Sequence, residues 1–399
     1  MTAPAGEKST NRTFLPYFIV TGSLSLGYGS IYTLLPDLRD ELGFSEQQLG
    51  VLVGVGFFAG FFAQVALSRY ADRGYASIMV RSGIVIAALS ALTCAVSTEL
   101  WQFIVARAFL GLGSGMVSPA IRRIVIARDP DRIGENLGKQ GSFDISGFVL
   151  GPTMAAGISW VFDFQAPFWA LFFLYVGIFF VGMRLDLSVT RTASRGRALR
   201  TLLALPTIRA ALGASIAFYV TIGMFEAVWA LLLKDLGAGR ILIGTTLSFF
   251  TVPMIFLAPT GGRYAQRYGP LRVAGFSIAV ATLCTLSYGF LPLWPLLIVS
   301  VVHAVADSFT MPANQVAVAM SSPPEHVAAG QGLLGAVGVA VAGTVGIVAG
   351  GVYGELGRGP LFVGTAATMA VFLVWAIFNA GSLRHPFASK PEIASPQVS

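Results

Sequence analysis

The sequence predicts an all-helical membrane protein made of two pseudo-symmetric halves with six spans each. Three observations carry that prediction. Hydrophobic residues make up 55% of the chain and charged residues 11%, with a mean hydropathy of +0.74. A soluble domain could not hide so much apolar surface. The chain also divides into about twelve apolar runs, each near the roughly 20 residues that a spanning helix needs. Finally, the sequence repeats itself. Arg69-Tyr70-Ala71-Asp72-Arg73 returns 194 residues later as Arg263-Tyr264-Ala265-Gln266-Arg267. The same offset carries Leu42-Gly43 onto Leu236-Gly237 and Gly50 onto Gly244, and an offset of 193 carries Trp101 onto Trp294 and Pro119 onto Pro312. A spacing held over three separate regions marks two homologous halves.

In the first half the spans fall at 14–35, 49–67, 78–96, 101–125, 141–161 and 166–183. In the second they fall at 210–232, 242–259, 273–291, 294–318, 331–352 and 361–380. Only helices and closed barrels satisfy their backbone in lipid, and these runs are too long and too unalternating for barrel strands. The first run is too long for a signal-peptide core and leads into a second span, so it reads as the first helix. The plan is therefore a cytoplasmic tail over 1–12, a six-helix bundle over 13–183, a linker over 184–206, a second bundle over 207–383 and a tail over 384–399. The linker carries Arg184, Arg191, Arg195, Arg197 and Arg200 against Asp186. It is expected to anchor topology, with contact to anionic lipid as the alternative. The tail, rich in Pro, Ser and Ala, is expected to be disordered.

The net charge of +7 and pI near 9.6 raise the question of a nucleic-acid partner, and the distribution of charge answers it. With the amino terminus in the cytoplasm, four of the 26 Lys and Arg fall outside (Arg39, Lys234, Arg240 and Arg358), Arg107 sits within a span, and the rest are cytoplasmic. That is the positive-inside pattern, so the charge reports topology, with both termini cytoplasmic. Cys94 and Cys284 lie in spans of opposite halves and read as packing residues. His303, His326 and His385 are dispersed, and neither an H-E-x-x-H motif nor a nucleotide-binding loop occurs. No metal and no cofactor is expected; the energy source would be an ion gradient. The expected partners are the lipid bilayer, a small-molecule substrate and protons, with no nucleic acid, and the expected state is a monomer.

The repeated motif has a further meaning. Its first copy reads Ser68-Arg69-Tyr70-Ala71-Asp72-Arg73-Gly74 and its second Gly262-Arg263-Tyr264-Ala265-Gln266-Arg267-Tyr268-Gly269. Asp72 can cap a helix N-terminus or pair with an arginine, and Arg122 and Arg123 are the candidate partners. Together the copies resemble the G-x-L-a-D-r-x-G motif of the major facilitator superfamily, although the first has lost its leading glycine and the second its acid. The resemblance covers nearly the whole chain. It implies that this cluster (Asp72, Arg73, Arg122 and Arg123, with Gly262, Arg263, Arg267 and Gly269 in the second copy) latches one conformation of a cytoplasmic gate. Arg107, Gly111 and Gly113 resemble the family's R-x-x-x-G-x-G motif. Gly138, Gly147 and Gly151-Pro152 resemble the fifth-span motif of its proton-coupled drug antiporters, with Ala155 and Ala156 in place of the glycine pair that usually follows. The resemblance implies export, and it implies a substrate cavity lined by spans one, four, seven and ten near the bilayer midplane.

Among the ionisable groups within spans, Arg107, Asp144, Glu226, His303 and Asp307 are the candidates for the site. Arg107 is roughly 9 Å below Trp101 along the helix, a costly depth for a charge without a partner. Glu226 lies at a similar depth. The two are expected to approach each other when the outer gate closes; the alternative is that Arg107 bonds to backbone within its own half. His303 and Asp307 are four apart and share a helix face, so together they could load and release a proton. Asp307, Glu226, Asp144 and His303, in that order, are the candidates for proton coupling, each against the alternative of a structural hydrogen-bond partner. The first span lacks the acid that some drug antiporters carry there, and Tyr32 is the counterpart of Glu226. Tyr28, Tyr32, Phe218, Tyr219, Phe225, Trp229 and Phe309, with Asn314 and Gln315, are the expected cavity residues. Such a lining suits amphipathic, often cationic, compounds. The expected function is a proton-coupled exporter of hydrophobic or amphipathic small molecules in the cell membrane. An importer or facilitator of a specific metabolite is the alternative, and a polytopic membrane enzyme the remote one.

Overall fold

The computed structural model describes residues 6–44, 46–189 and 198–380. Among them the long elements are twelve helices, with no strand. The first six are α1 (Gly6–Leu42), α2 (Glu46–Leu67), α3 (Ala76–Val96), α4 (Leu100–Arg128), α5 (Ile133–Val161) and α6 (Ala166–Arg184). A short helix, α7 (Ala198–Ala204), precedes the second six. These are α8 (Pro206–Asp235), α9 (Arg240–Tyr268), α10 (Pro270–Tyr288), α11 (Leu293–Ser321), α12 (Val327–Leu356) and α13 (Arg358–Asn379).

Nine described helices are long and apolar enough to cross a membrane; α2, α5 and α9 are not among them. For α2 the apolar stretch is the shorter Gly54–Leu67. For α5 the cause is its composition: Glu135, Lys139, Asp144 and several Gly and Ser residues dilute the apolar run. A helix packed between others needs small surfaces more than greasy ones. The linker also differs from expectation. Its Ala-Leu-rich segment favours helix and forms α7, whose Ala198 and Leu202 are buried in the core of the second half. Arg191, Arg195, Arg197 and the tail over 384–399 lie outside the described residues. The linker's start is fastened to the first half. The Tyr17 hydroxyl donates to the Asp186 carbonyl at 2.6 Å, and Arg128 pairs with the Asp186 carboxylate at 2.7 Å. Hydrogen bonds from the Ser188 hydroxyl and N–H, and then Arg128, hold that carboxyl below its ordinary range.

The repeat is visible in the backbone. Gly43 and Gly237 follow α1 and α8 with φ of 69° and 85°, while Gly74 and Gly269 lie before α3 and α10 with φ of 87° and 98°. Left-handed turns of this kind favour glycine, so the repeat keeps glycine where geometry demands it, with the second turn shifted by one residue. Within the first half α1 packs on α5 and α2 on α4; within the second α8 packs on α12 and α9 on α11. The halves meet through α5 against α9 and α11, and α12 against α2 and α4.

Among the described residues the close approaches between the halves lie at one end of the bundle, the basic end where α4 and α9 finish and α5 and α12 begin. Ile126, Ile133 and Leu137 of the first half are buried in the second half's core, and Ala328 of α12 in the first half's. Toward the far end the halves separate. Almost every residue from Val327 to Gly338 of α12 is buried, whereas Ile347 and Val348 are exposed. On α5 the same gradient runs from buried Ile133–Gly134 to exposed Trp160–Val161.

Candidate functional site

The basic end is closed by two latches related by the internal repeat. Asp72, buried in the turn before α3, accepts at Oδ1 from the Ala328 N–H (2.9 Å) and at Oδ2 from the Ala329 N–H (3.0 Å). These are free amides of the first turn of α12, where a carboxylate also meets the positive end of the helix dipole. Arg123 Nε donates to the same Oδ1 at 3.1 Å, and its Nη2 donates to the Pro324 carbonyl at 3.3 Å. Arg123, and not Arg122, is therefore the partner of Asp72. Arg73 lies over its neighbour Tyr70 instead, 5.6 Å from the ring centre.

Gln266, 194 residues after Asp72, occupies the mirrored position. Its Oε1 accepts from the Gly134 N–H at 2.9 Å, and Gly134 is the counterpart of Ala328 by the same offset. Its Nε2 donates to the carbonyls of Asp131 (2.7 Å) and Pro130 (3.3 Å). The second copy thus replaced a carboxylate with an amide that both accepts and donates. Between the latches the backbones touch. A Cβ on Gly134 would collide with Gly262, and one on Gly138 with Ala258 and Pro259. Arg263 Nη2 donates to Thr260 Oγ1 at 3.3 Å and Arg267 lies over Tyr268, so both remain on the surface of α9.

The fifth-span glycines serve a second seam, inside the first half. Gly147 packs on the backbone of Gly22, and Gly151 on Leu26 and Ser30, whose hydroxyl donates to the Gly151 carbonyl at 3.2 Å. A Cβ on Gly29 would collide with the Phe148 carbonyl and crowd Pro152. The motif draws α5 against α1.

Above the closed end a cleft of about 190 Å³ remains between the halves, lined by Tyr28, Phe57, Gln64, Ser114 and Phe148 on one side and Val339 on the other. Tyr32 packs edge-on against Phe148. Arg107 is buried beneath this wall; its guanidinium lies 5.2 Å from the Tyr28 ring centre, and the Tyr28 hydroxyl donates to the Gly56 carbonyl at 3.1 Å. Its Nε and Nη2 have no hydrogen-bond partner. Glu226 is exposed on α8, and among the described residues no cation pairs with it. Arg107 and Glu226 thus do not pair in this state, because the far end is open; Tyr32 lies within electrostatic reach of both. Asp144 sits on α5 beside Thr21 and within reach of Arg122, with one carboxylate oxygen enclosed and unbonded.

His303 and Asp307 lie elsewhere. Both are fully buried inside the second half, with His303 Nε2 3.6 Å from Asp307 Oδ2. That is too far for a hydrogen bond. His303 Nδ1 meets the Tyr288 hydroxyl at 3.2 Å, and its ring is enclosed by Phe225, Phe250 and Tyr288 with centroids 5.3, 5.8 and 5.8 Å away. Trp229 closes the cage over Tyr288 and Phe225 and donates to Thr246 Oγ1 at 3.4 Å. Asp307 lies within electrostatic reach of Cys284 and Tyr288 on α10. The pair therefore points toward α10 and sits behind a layer of rings, not on the cleft wall.

Several expected cavity residues need the same correction. Phe225 and Trp229 belong to the cage around His303. Phe218 is buried, and Tyr219 is wedged against Gly338. Phe309 faces outward and meets Tyr264 edge-on. Asn314 and Gln315 are buried toward the basic end of α11, where the Gln315 carbonyl accepts from Gln331 Nε2 at 2.9 Å. An aromatic residue on a lining helix can face any of three sides, and span number alone does not choose among them. Tyr288, Phe250 and Gln266 escaped the sequence reading. Only Gln266 had left a signal, its offset from Asp72.

This architecture is shared with solved transporters. The chain is similar to the human organic anion transporter MFSD10 (TETRAN), with a TM-score of 0.77 at 16% identity over 94% of this chain and 100% of that one. It is similar also to the E. coli fucose:proton symporter FucP, with a TM-score of 0.73 at 16% identity over 92% and 99%. In sequence it is 25% identical over 279 residues to the multidrug resistance protein MdtG of Dickeya zeae, covering 67% of this chain and 68% of the relative. To MdtG of Enterobacter lignolyticus it is 23% identical over 331 residues, 77% of each. The family model of the Major Facilitator Superfamily matches residues 17–226 and 210–398, so the chain, with its two halves, repeated turn motif and central cleft, belongs to that superfamily of membrane transporters.

Proposed function

We propose that the protein is a proton-coupled antiporter that exports amphipathic small molecules across the cell membrane, acting as a monomer with its termini and its latched end in the cytoplasm. The observation that carries this reading is the aromatic cleft, open at the far end, with the unpaired carboxylate of Glu226 exposed on α8 within electrostatic reach of Tyr32. Rings and a free acid suit lipophilic cations through stacking and charge attraction. The MdtG relatives support the same substrate class, and the basic surface around the latches supports a cytoplasmic position for them.

In this reading the structure is the outward-facing state. Substrate leaves the cleft, and protons enter it from outside and occupy Glu226 and, behind the rings, Asp307. His303 and Asp307 can share one proton in two ways, as an ion pair or as two neutral groups. A second proton leaves a net charge inside the bundle, which favours rearrangement. Asp144, on the helix that joins the Gln266 latch to the cleft, is the third carrier. The halves then rock, the latches part, and the protons leave to the cytoplasm as substrate replaces them.

The test uses purified protein in proteoliposomes with an acidic, dye-loaded interior and a panel of lipophilic cations and neutral drugs. Expected is proton efflux that depends on the added compound and is lost in Asp307→Asn and sharply reduced in Glu226→Gln. Absence of efflux across the panel, from protein with an unchanged melting temperature, would overturn the reading in favour of a narrow metabolite carrier.

A further inference from the structure

A large cavity that the transport cycle does not use faces outward from the second half. It is a groove of about 620 Å³ between the end of α9 and the flanks of α10 and α11, within the roughly 300–1,000 Å³ range of ligand sites. Its walls are apolar: Phe276, Val280, Val302, Val305 and Phe309 line the shaft. Its mouth at the basic end is different. There Tyr264, Tyr268 and Arg272 form the rim, and Arg267 stands 5.3 Å from the Tyr268 ring centre. Arg272 is exposed and, among the described residues, has no ion-pair partner. From Leu236 to Pro324 the sequence holds a single acid, Asp307, and it is fully buried. Among the described residues neither arginine at the mouth forms an ion pair, and both stand beside two tyrosines of the kind that sit at a membrane interface.

We propose that this groove binds one anionic phospholipid, with an acyl chain along the Phe276–Phe309 shaft and the phosphate between Arg272 and Arg267. An apolar slot capped by unopposed cations matches that molecule at both ends, whereas a neutral lipid would leave the arginines without a counter-ion. Arginine holds phosphate through two parallel N–H donors, which makes it better suited than a single ammonium to fix a headgroup at one place. The site is lateral and shares no lining residue with the cleft, so its occupant does not travel with the substrate.

The test is native mass spectrometry of the delipidated full chain in detergent, titrated with equal amounts of phosphatidylglycerol and phosphatidylcholine of identical chains. Expected is a first adduct dominated by phosphatidylglycerol. Arg272→Gln should lower that preference about fivefold, and Arg267→Gln with Arg272→Gln should lower it further. Val305→Trp, which fills the shaft from an exposed position, should remove the first adduct of both lipids. The proposal is overturned if the wild type takes both lipids equally, or if the double variant keeps its preference. It is overturned equally if Val305→Trp leaves the phosphatidylglycerol adduct intact, because the anion would then sit at other arginines.

Discussion

Asp72 does more for the closed state than any other side chain in the gate. It is buried to about 1% exposure, and three donors converge on it: two amides of α12 and the Arg123 guanidinium. Removing one member of a buried pair strands the other, which costs about 3–5 kcal/mol. Asp72→Asn is therefore expected to weaken the closed basic end by that order, while leaving the folded halves intact. The check is the distance between spin labels at Ala127 and Arg263, both exposed and in opposite halves, on a background with Cys94 and Cys284 replaced. A longer distance in the variant fits; an unchanged one does not. Gln266→Ala should act in the same direction and more weakly. Its bonds are between neutral groups, worth about 0.5–1.5 kcal/mol each.

At the scale of the helix, α5 joins the parts. Its first turn receives the Gln266 latch, its glycines pack against α1, and Phe148 forms part of the cleft wall. Gly147 has no room for a side chain, since a Cβ there overlaps the Gly22 backbone, whereas Gly157 on the same helix faces open space. Gly147→Leu should lower stability by about 1–3 kcal/mol or more, read as a fall in melting temperature, and Gly157→Leu should leave it unchanged. The glycines that had suggested transport direction are thus explained first by packing. What was legible in the sequence divides at this scale. Spans and repeat could be read because hydropathy and offset are properties of single segments. Which of Arg122 and Arg123 pairs with Asp72, and the burial of His303 and Asp307 behind a layer of rings, could not, because they depend on which way α4, α10 and α11 are rotated. The helical pattern on a membrane span is weak when lipid and core are both apolar.

At the scale of the molecule, the two halves are alike in backbone and unlike in charge. Symmetric turns place Asp72 and Gln266 at matching helix starts, yet only one latch is ionic. The first half holds Arg107 under its cleft wall, and the second holds a His–Asp pair inside its core. In the proposed cycle the first half supplies most of the cleft lining and Asp144, while the second supplies Glu226 and the His–Asp pair. In the proposed cycle these halves rock about the cleft, opening one end as the other closes. One experiment tests it most directly: spin-label distances measured in parallel at both ends, between Ala127 and Arg263 at the latched end and between Phe162 and Leu356 at the far end. The second pair is exposed, at the ends of α5 and α12. In Asp72→Asn, compared with the wild type, we expect the first distance to lengthen and the second to shorten. If both distances stay fixed, or both change in the same direction, the halves do not alternate about the cleft and the account is wrong.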